Sequence, residues 1–330
     1  MILKGTQIKK YFPIRKGIFL QTAGYVKALE SVDFELFENE TLGIVGESGC
    51  GKTTLGRVIT LVYSTTEGKL EYTTPENQQI TVGKKLDKHQ TKLYRRDVQM
   101  VFQDPFSSLD PRMTVGDILT EPLNVHRLFP NKKEKDEYVQ YLLERVGLYS
   151  EYASRYPHEF SGGQRQRISI ARAIALKPRA IVCDEPTSAL DVSVQSQIIN
   201  LLQELKDKEN MAYFFISHDL DLIHHVSDRI MVMYLGSVME EGKADELFNH
   251  ASHPYTRVLM KSIPHWDPKQ RKLRKVHLEG EPPSPINPPK GCPFNTRCRD
   301  VMAICKKEKP TLSNISENHS VACWLYNIKG

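Results

Sequence analysis

No run of apolar residues in this chain approaches the roughly 18 to 20 needed to cross a bilayer; the longest candidates are short stretches around Ile181 and from Ile230 to Leu235. The start, Met1 to Tyr11, carries Lys4, Lys9 and Lys10 with no apolar block behind them, so no secretory signal is visible and a cytosolic location is expected. No fixed period recurs, which excludes solenoids and propellers. Stable disulfides are not expected, because a reducing compartment keeps the six cysteines, at 50, 183, 292, 298, 305 and 323, as thiols. An excess of one charge is missing too: 45 Lys and Arg face 40 Asp and Glu. Residues 265–309 hold 11 basic and 5 acidic side chains, a local +6 that leaves −1 of the net +5 for the remainder. A body that grips nucleic acid is more basic throughout, so this stretch reads as a solvated tail and no nucleic-acid partner is expected.

What is present is ordinary globular composition. Hydrophobic residues make up 40% and charged residues 26% of 330, with 19 each of Gly and Pro, which excludes collagen-like, coiled-coil and wholly disordered chains. That length suits two domains, or one large domain with an appendage.

Alternation at Val32, Phe34 and Leu36, and the β-type run Thr41 to Val45, predict strands that stop at glycine-rich sequence, with a helix from Thr53. The segment from Asp87 to Leu148 reads as an inserted helical subdomain, with Tyr138, Tyr141, Leu142 and Val146 at helical spacing. Beyond it come a helix from about Gly163 to Leu176, ended by Lys177-Pro178, and the apolar strand Ala180 to Cys183. A helix from Val194 to Lys208, a strand from Ala212 to Ile216, a helix after Asp219 and a strand from Ile230 to Tyr234 follow. Repeated strand and helix units predict an α/β fold with a mostly parallel sheet covered on both faces. From about His265 a basic, proline-rich linker leads into a cysteine-rich tail.

Residues 46–53, Gly-Glu-Ser-Gly-Cys-Gly-Lys-Thr, match the P-loop pattern of Gly, four residues, then Gly-Lys-Ser/Thr. Its glycines let backbone N–H groups converge on phosphates at a helix N-terminus, which adds partial positive charge. Lys52 is expected to reach the outer phosphates and Thr53 to place its hydroxyl on Mg²⁺. Ile181 to Glu185 is a buried strand ending in two carboxylates; Asp184 is suited to the Mg²⁺ shell and Glu185 to polarising an attacking water. Ser161-Gly162-Gly163-Gln164 opens another helix, either a second anion site or a capped helix start.

Together these motifs resemble an ATP-binding-cassette (ABC) ATPase, a P-loop NTPase fold. Ser161 to Gln164 resembles the family's signature motif, with Phe160 where Leu is usual. Phe102-Gln103-Asp104-Pro105 resembles the Q-loop, Ser188-Ala189-Leu190-Asp191 the D-loop, and His218 the switch histidine. Lys10-Tyr11 resembles the aromatic position that stacks on adenine, with Phe12 and Tyr25 as alternatives. The resemblance implies a cassette over 1–264 with an antiparallel β subdomain and a helical subdomain at about 104–178, and an extension over 265–330. It implies ATP bound by Tyr11, by Gly46, Glu47, Ser48, Gly49, Cys50, Gly51, Lys52, Thr53 and Thr54, and by Gln103, Ser161, Gly162, Gly163, Gln164 and Asp191. Two ATP molecules would lie between the P-loop of one subunit and the signature of another. Glu185 would be the general base, His218 and Lys52 would meet the γ-phosphate, and Thr53, Gln103 and Asp184 would hold Mg²⁺.

Phe106 to Val115, His253-Pro254-Tyr255-Thr256 with Leu259, and Pro282 to Pro289 before Gly291-Cys292-Pro293-Phe294 are similar to ATPase subunits of bacterial oligopeptide and dipeptide importers. The stretch between Tyr11 and Val26 is most similar to the F-type subunit. The implied assembly has two permease subunits, a second, D-type ATPase making a heterodimer, and an extracytoplasmic peptide-binding protein, with this chain peripheral on the cytoplasmic side of the cell membrane. Related importers carry nickel or sugars; soluble cassettes that act on ribosomes or DNA commonly have two cassettes or a long arm, which this chain lacks.

Cys292, Cys298, Cys305 and Cys323 leave gaps of 5, 6 and 17 residues, without the Cys-x2-Cys pair usual in structural zinc sites. Wider spacing suits an iron-sulfur cage better. The peptide-importer resemblance implies a 4Fe-4S cluster on these four cysteines. His319 itself reads as a surface residue, Cys50 as a filler of the P-loop and Cys183 as a buried strand residue.

Overall fold

Thr41–Val45, Ala180–Asp184 and Ala212–Ile216 are buried at every position, the pattern of strands covered on both faces. They form the middle of the larger of two sheets in the computed structural model, which describes residues 1–17, 20–83, 87–262 and 280–326. From one edge to the other its strands are Ser313–Ser316, His319–Val321, Ser237–Lys243, Arg229–Tyr234, Thr41–Val45, Ala212–Ile216, Ala180–Asp184 and Val98–Val101. The pairings from Arg229–Tyr234 to Val98–Val101 are parallel and the rest antiparallel. A second sheet, Gln21–Leu36, Leu3–Lys16, Glu67–Thr73 and Gln79–Val82, is antiparallel throughout.

Side chains of each central strand alternate between two apolar cores. Leu42, Ile44, Val182, Phe214 and Ile216 join the antiparallel sheet's Leu3, Ile8, Leu29 and Phe34, and the Phe34 and Phe214 rings meet edge to face at 5.4 Å. Val45, Ile181, Cys183, Tyr213 and Phe215 face the other way, onto Ile168, Ala171 and Ile174 of the Gly162–Ile174 helix and Ile198 and Leu202 of Val192–Glu209. Side chains from the Val115–His126 and Lys132–Arg145 helices continue this core.

Three features differ from expectation. Residues from Asp87 do not open a helical insertion: the helix Lys88–Asp97 runs straight into Val98–Val101, the edge strand paired with Ala180–Cys183. A four-residue strand has too little period to announce itself.

The second difference concerns a histidine of the tail. The tail's hairpin extends the main sheet, and His319 is buried, 3% exposed, rather than at the surface. The cause is Glu240, a fully buried carboxylate that needs donors. It receives His319 Nε2 at 2.6 Å and the amides of Ser252 and His253 at 2.6 and 2.9 Å, while His319 Nδ1 lies 3.2 Å from Glu246. The hydrogen bond to Glu240 holds the His319 pKa above the ordinary imidazole value, whereas burial pushes His253 down to about 4.

The expectation of a 4Fe-4S cluster on Cys292, Cys298, Cys305 and Cys323 is overturned. Among the described residues no group of three or more His, Cys, Asp or Glu side chains is placed to hold a metal ion. Burial raises the thiol of Cys292 to about 12 and of Cys298 to about 11, and raises Cys323 too. Cys292 and Cys305 serve as core residues instead, joined by a Cys292 N–H to Cys305 carbonyl bond of 2.8 Å.

Candidate active site

Four of the five parallel strands deliver the sequence motifs side by side at their C-terminal ends. In sheet order, Thr41–Val45 leads into the P-loop, Ala212–Ile216 into Ser217 and His218, Ala180–Asp184 into Glu185, and Val98–Val101 toward Gln103. The crevice beyond the carboxyl ends of such strands is where α/β sheets bind ligands.

Two glycines fix the shape of the loop. A Cβ on Gly46, at φ +153°, would lie 2.1 Å from the Met233 carbonyl oxygen, and one on Gly51, at φ +110°, 2.4 Å from that of Ala28. Lys52, 6% exposed, donates through Nζ to the carbonyls of Gly46 and Glu47 at 2.7 and 3.1 Å. Its helix, Lys52–Ile59, points its N-terminus at the loop. Thr53 Oγ1 donates to Asp184 Oδ1 at 3.0 Å; burial pushes the Asp184 carboxyl pKa up, and the Thr53 hydrogen bond works against that.

Glu185 sits in the left-handed region at φ +46°, a conformation that costs a non-glycine residue about 1–3 kcal/mol and is concentrated at functional sites. Its Oε2 accepts from Gln103 Nε2 at 2.9 Å and lies 3.3 Å from His218 Nδ1. One carboxylate oxygen is thus shared by side chains from two neighbouring strands.

These groups border a cavity of about 700 Å³, lined by Ser48, Gly49, Gly51, Lys52, Thr53, Thr54, Gln103, Glu185 and His218. Gly46, Glu47 and Cys50 belong to the underside of the loop, and Asp184 lies beneath Thr53; none of them lines the cavity. Ser161, Gly162, Gly163 and Gln164 do not line it either. Ser161 caps the Gly162–Ile174 helix, its Oγ accepting from Gln164 N at 3.3 Å while Gln164 Oε1 accepts from Ser161 N at 3.0 Å. Asp191 precedes the Val192–Glu209 helix and is exposed; a Cβ on Gly163 would meet Val194 of that helix at 2.5 Å, so signature and D-loop segments pack together.

Of the three aromatic candidates, Phe12 lines the cavity. Tyr11 donates its hydroxyl to Glu30 at 2.6 Å, and burial together with that bond raises its pKa; Tyr25 is 51% exposed and does not line the cavity. Val26, Ala28 and Pro285 supply further apolar wall. The Pro285 carbonyl accepts from Lys27 N at 3.0 Å, which places the proline-rich segment at the cavity rim. No local signal in the sequence brings Pro285 there, since the contact spans more than half the chain. Thr53, Asp184 and Gln103 offer only oxygen ligands, a donor set that fits Mg²⁺.

A family profile described as "ABC transporter" matches residues 29–188, and one described as "Oligopeptide/dipeptide transporter, C-terminal region" matches 239–305. The chain is 49% identical over 327 residues to the oligopeptide transport ATP-binding protein AppF of Bacillus subtilis, covering 99% of this chain and 98% of that one. It is 46% identical over 326 residues to OppF of Escherichia coli, covering 98% and 96%. It is 45% identical over 323 residues to the dipeptide transport ATP-binding protein DppF of Haemophilus influenzae, covering 98% and 96%. Among solved structures, the dimeric post-hydrolysis state of the ATP-binding cassette MJ0796 bound to ADP and Pi matches with a TM-score of 0.63 at 28% identity, over 74% of this chain and 99% of that one. With its P-loop, the strand-end Glu185 and His218 around one cavity, this chain belongs to the ABC transporter ATPases, in the group of oligopeptide and dipeptide transport ATP-binding proteins.

Proposed function

We propose that this chain is the ATP-hydrolysing subunit of an importer of oligopeptides or dipeptides, and that the observation carrying this is the shared Glu185 carboxylate at the mouth of the P-loop cavity. In this reading the cavity takes ATP, with Phe12 beside the adenine and the amides of residues 48–54 around the phosphates. Lys52 leaves its carbonyl partners for the outer phosphates. Thr53, Asp184 and Gln103 hold Mg²⁺, which when bound neutralises charge on the phosphoryl oxygens. Glu185 takes a proton from a water that attacks the γ-phosphorus in line; the new P–O bond forms as the bond to ADP breaks, and inorganic phosphate leaves. His218, beside Glu185, contacts the γ-phosphate and the water.

The site is half of a larger one. Ser161 to Gln164 and Asp191 stand outside this chain's cavity, which supports a head-to-tail pair in which the signature of a second ATPase, in our reading a D-type subunit, closes on the triphosphate. We assign residues 1–264 to the cassette and 265–330 to an extension; the boundary falls outside the described residues. Among the described residues no helix is long and apolar enough to cross a membrane, so transport requires membrane partners. Two permease subunits fed by a substrate-capturing protein outside are the assembly we propose, with this chain on the cytoplasmic face. A groove of about 580 Å³, where Phe102 beside Gln103 meets Glu121, Pro122 and Val125, supports a permease contact that reports to the site. Val125 is 60% exposed there.

Uptake of a radiolabelled oligopeptide by cells deleted for this chain tests the reading. Restoration by the wild-type chain and not by Lys52→Ala is expected; uptake undiminished by the deletion would contradict it.

A further inference from the structure

Two motifs singled out in the sequence, His253-Pro254-Tyr255-Thr256 and Gly291-Cys292-Pro293-Phe294, take no part in the chemistry above. Both meet under the P-loop, together with Arg297. Arg297 Nη1 and Nη2 donate to Glu47 Oε2 and Oε1 at 2.7 and 3.1 Å, and Nη1 also reaches Tyr234 Oη at 3.2 Å. The Arg297 side chain is 5% exposed and that of Glu47 22%. The backbone of the same glutamate is held too, its N–H donating to Tyr255 Oη at 2.9 Å. Around these bonds the rings of Tyr234, Tyr255 and Phe294 form a triangle, with centroids 4.8 Å apart for the two tyrosines and 5.3 Å from each to Phe294. Tyr255 is 0% and Phe294 1% exposed.

Glu47 is the second residue of the P-loop, and its carbonyl accepts both Lys52 Nζ at 3.1 Å and Cys50 N at 3.2 Å. Glu47 is therefore held on both sides of its Cα, its side chain by Arg297 of the tail and its N–H by Tyr255, next to the carbonyl on which the lysine and the turn of the loop depend. A two-pronged guanidinium–carboxylate contact fixes orientation as well as distance, and removing one partner of a buried pair leaves the other charge uncompensated. Burial opposes the charge of Arg297, yet its bonds to Glu47 and Tyr234 keep it firmly protonated.

We propose that Arg297 is a positioning residue for the P-loop: by fixing Glu47 it sets the backbone that receives the phosphates, so that the C-terminal segment governs ATP affinity. This rests on ATP occupying the cavity described above. Removing the guanidinium leaves a half-buried carboxylate unpaired next to the loop, which is then free to turn and take the Glu47 carbonyl with it.

Binding of the fluorescent analogue mant-ATP with Mg²⁺ to the full-length chain tests this, using Arg297→Gln, Arg297→Lys, Glu47→Gln and the double Gln variant. Each single Gln variant is expected to bind about tenfold more weakly, the double variant no more weakly than the weaker single, and Arg297→Lys to recover part of the loss. In steady state the KM for ATP should rise by more than kcat falls, a split that simple loss of folded protein does not produce. Should Arg297→Gln not fold, Glu47→Gln decides alone. Affinities within about twofold of wild type in the folded variants, or losses that multiply in the double variant, overturn the proposal. A wild-type chain that binds no mant-ATP refutes instead the nucleotide reading, and this proposal with it.

Discussion

The nucleotide cavity and the cysteine-bearing tail place their polar groups in opposite ways. Around the cavity Lys52, Thr53, Gln103, Glu185 and His218 all face one open volume, and each is held by a neighbour that a phosphate or water can replace. In the tail Cys292, Cys305, Cys323 and His319 are turned into the protein, where burial keeps Cys292 and Cys323 protonated and the carboxylates of Glu240 and Glu246 partner the two ring nitrogens of the histidine. Residues of equal chemical capacity thus become a site in one region and a fastening in the other. Orientation toward a shared space separates the two, not residue type.

The largest effect expected from breaking that contrast is on the cavity side. Gly51→Ala would force a Cβ to within 2.4 Å of the Ala28 carbonyl oxygen in a left-handed conformation. ATP affinity, measured by calorimetry, should fall at least about a hundredfold, roughly 3 kcal/mol, while the fold persists by circular dichroism. Retained affinity would mean that the loop's shape is not what binds phosphate.

A smaller effect is expected on the tail side, and it depends on pH. Because the His319 pKa is raised in the folded chain, its bond to Glu240 stabilises fully below the unfolded imidazole value of about 6.5 and the contribution is lost as pH rises through the folded value. Losing one partner of a buried pair costs about 3–5 kcal/mol, so the melting temperature of His319→Gln should fall furthest below wild type near pH 6, and the gap should narrow toward pH 9. His253, whose lowered pKa of about 4 destabilises both chains alike as pH falls below the unfolded imidazole value, cancels from the comparison. A gap that widens with pH would show that the neutral imidazole is the fastening form.

The smallest consequence concerns the thiols. At pH 8 iodoacetamide should label Cys298, half-buried and raised to about 11, before Cys292, raised to about 12. Both should react at least about a hundredfold more slowly than free cysteine, for want of thiolate. Fast labelling of Cys292 would remove the contrast with the cavity.

Much of the cassette was legible because its signals are local. Thr41–Val45 and Ala212–Ile216 fall where apolar runs predict strands, and the P-loop and the Asp184-Glu185 pair are written in consecutive residues. Val98–Val101 was hidden by its four-residue length. The wall residue Pro285 and the bond from Arg297 to Glu47 join positions hundreds of residues apart, so only folding brings them together. His319 and the four tail cysteines were misread for a related reason. Spacing along the chain reports which residues are close in sequence, but burial decides whether a thiol ionises or an imidazole faces water, and burial of the tail depends on Glu240 and the sheet edge it joins. The choice of Phe12 over Tyr11 was open for the same cause: adjacent residues of a strand face opposite ways, and the partner Glu30 that takes Tyr11 is in the neighbouring strand.

The most direct test of the central claim is the steady-state ATP hydrolysis of Glu185→Gln against wild type, at saturating ATP and with bound nucleotide measured in the same samples. The account predicts a rate lower by at least about a hundredfold with ATP still bound. A variant that turns ATP over at the wild-type rate would contradict it.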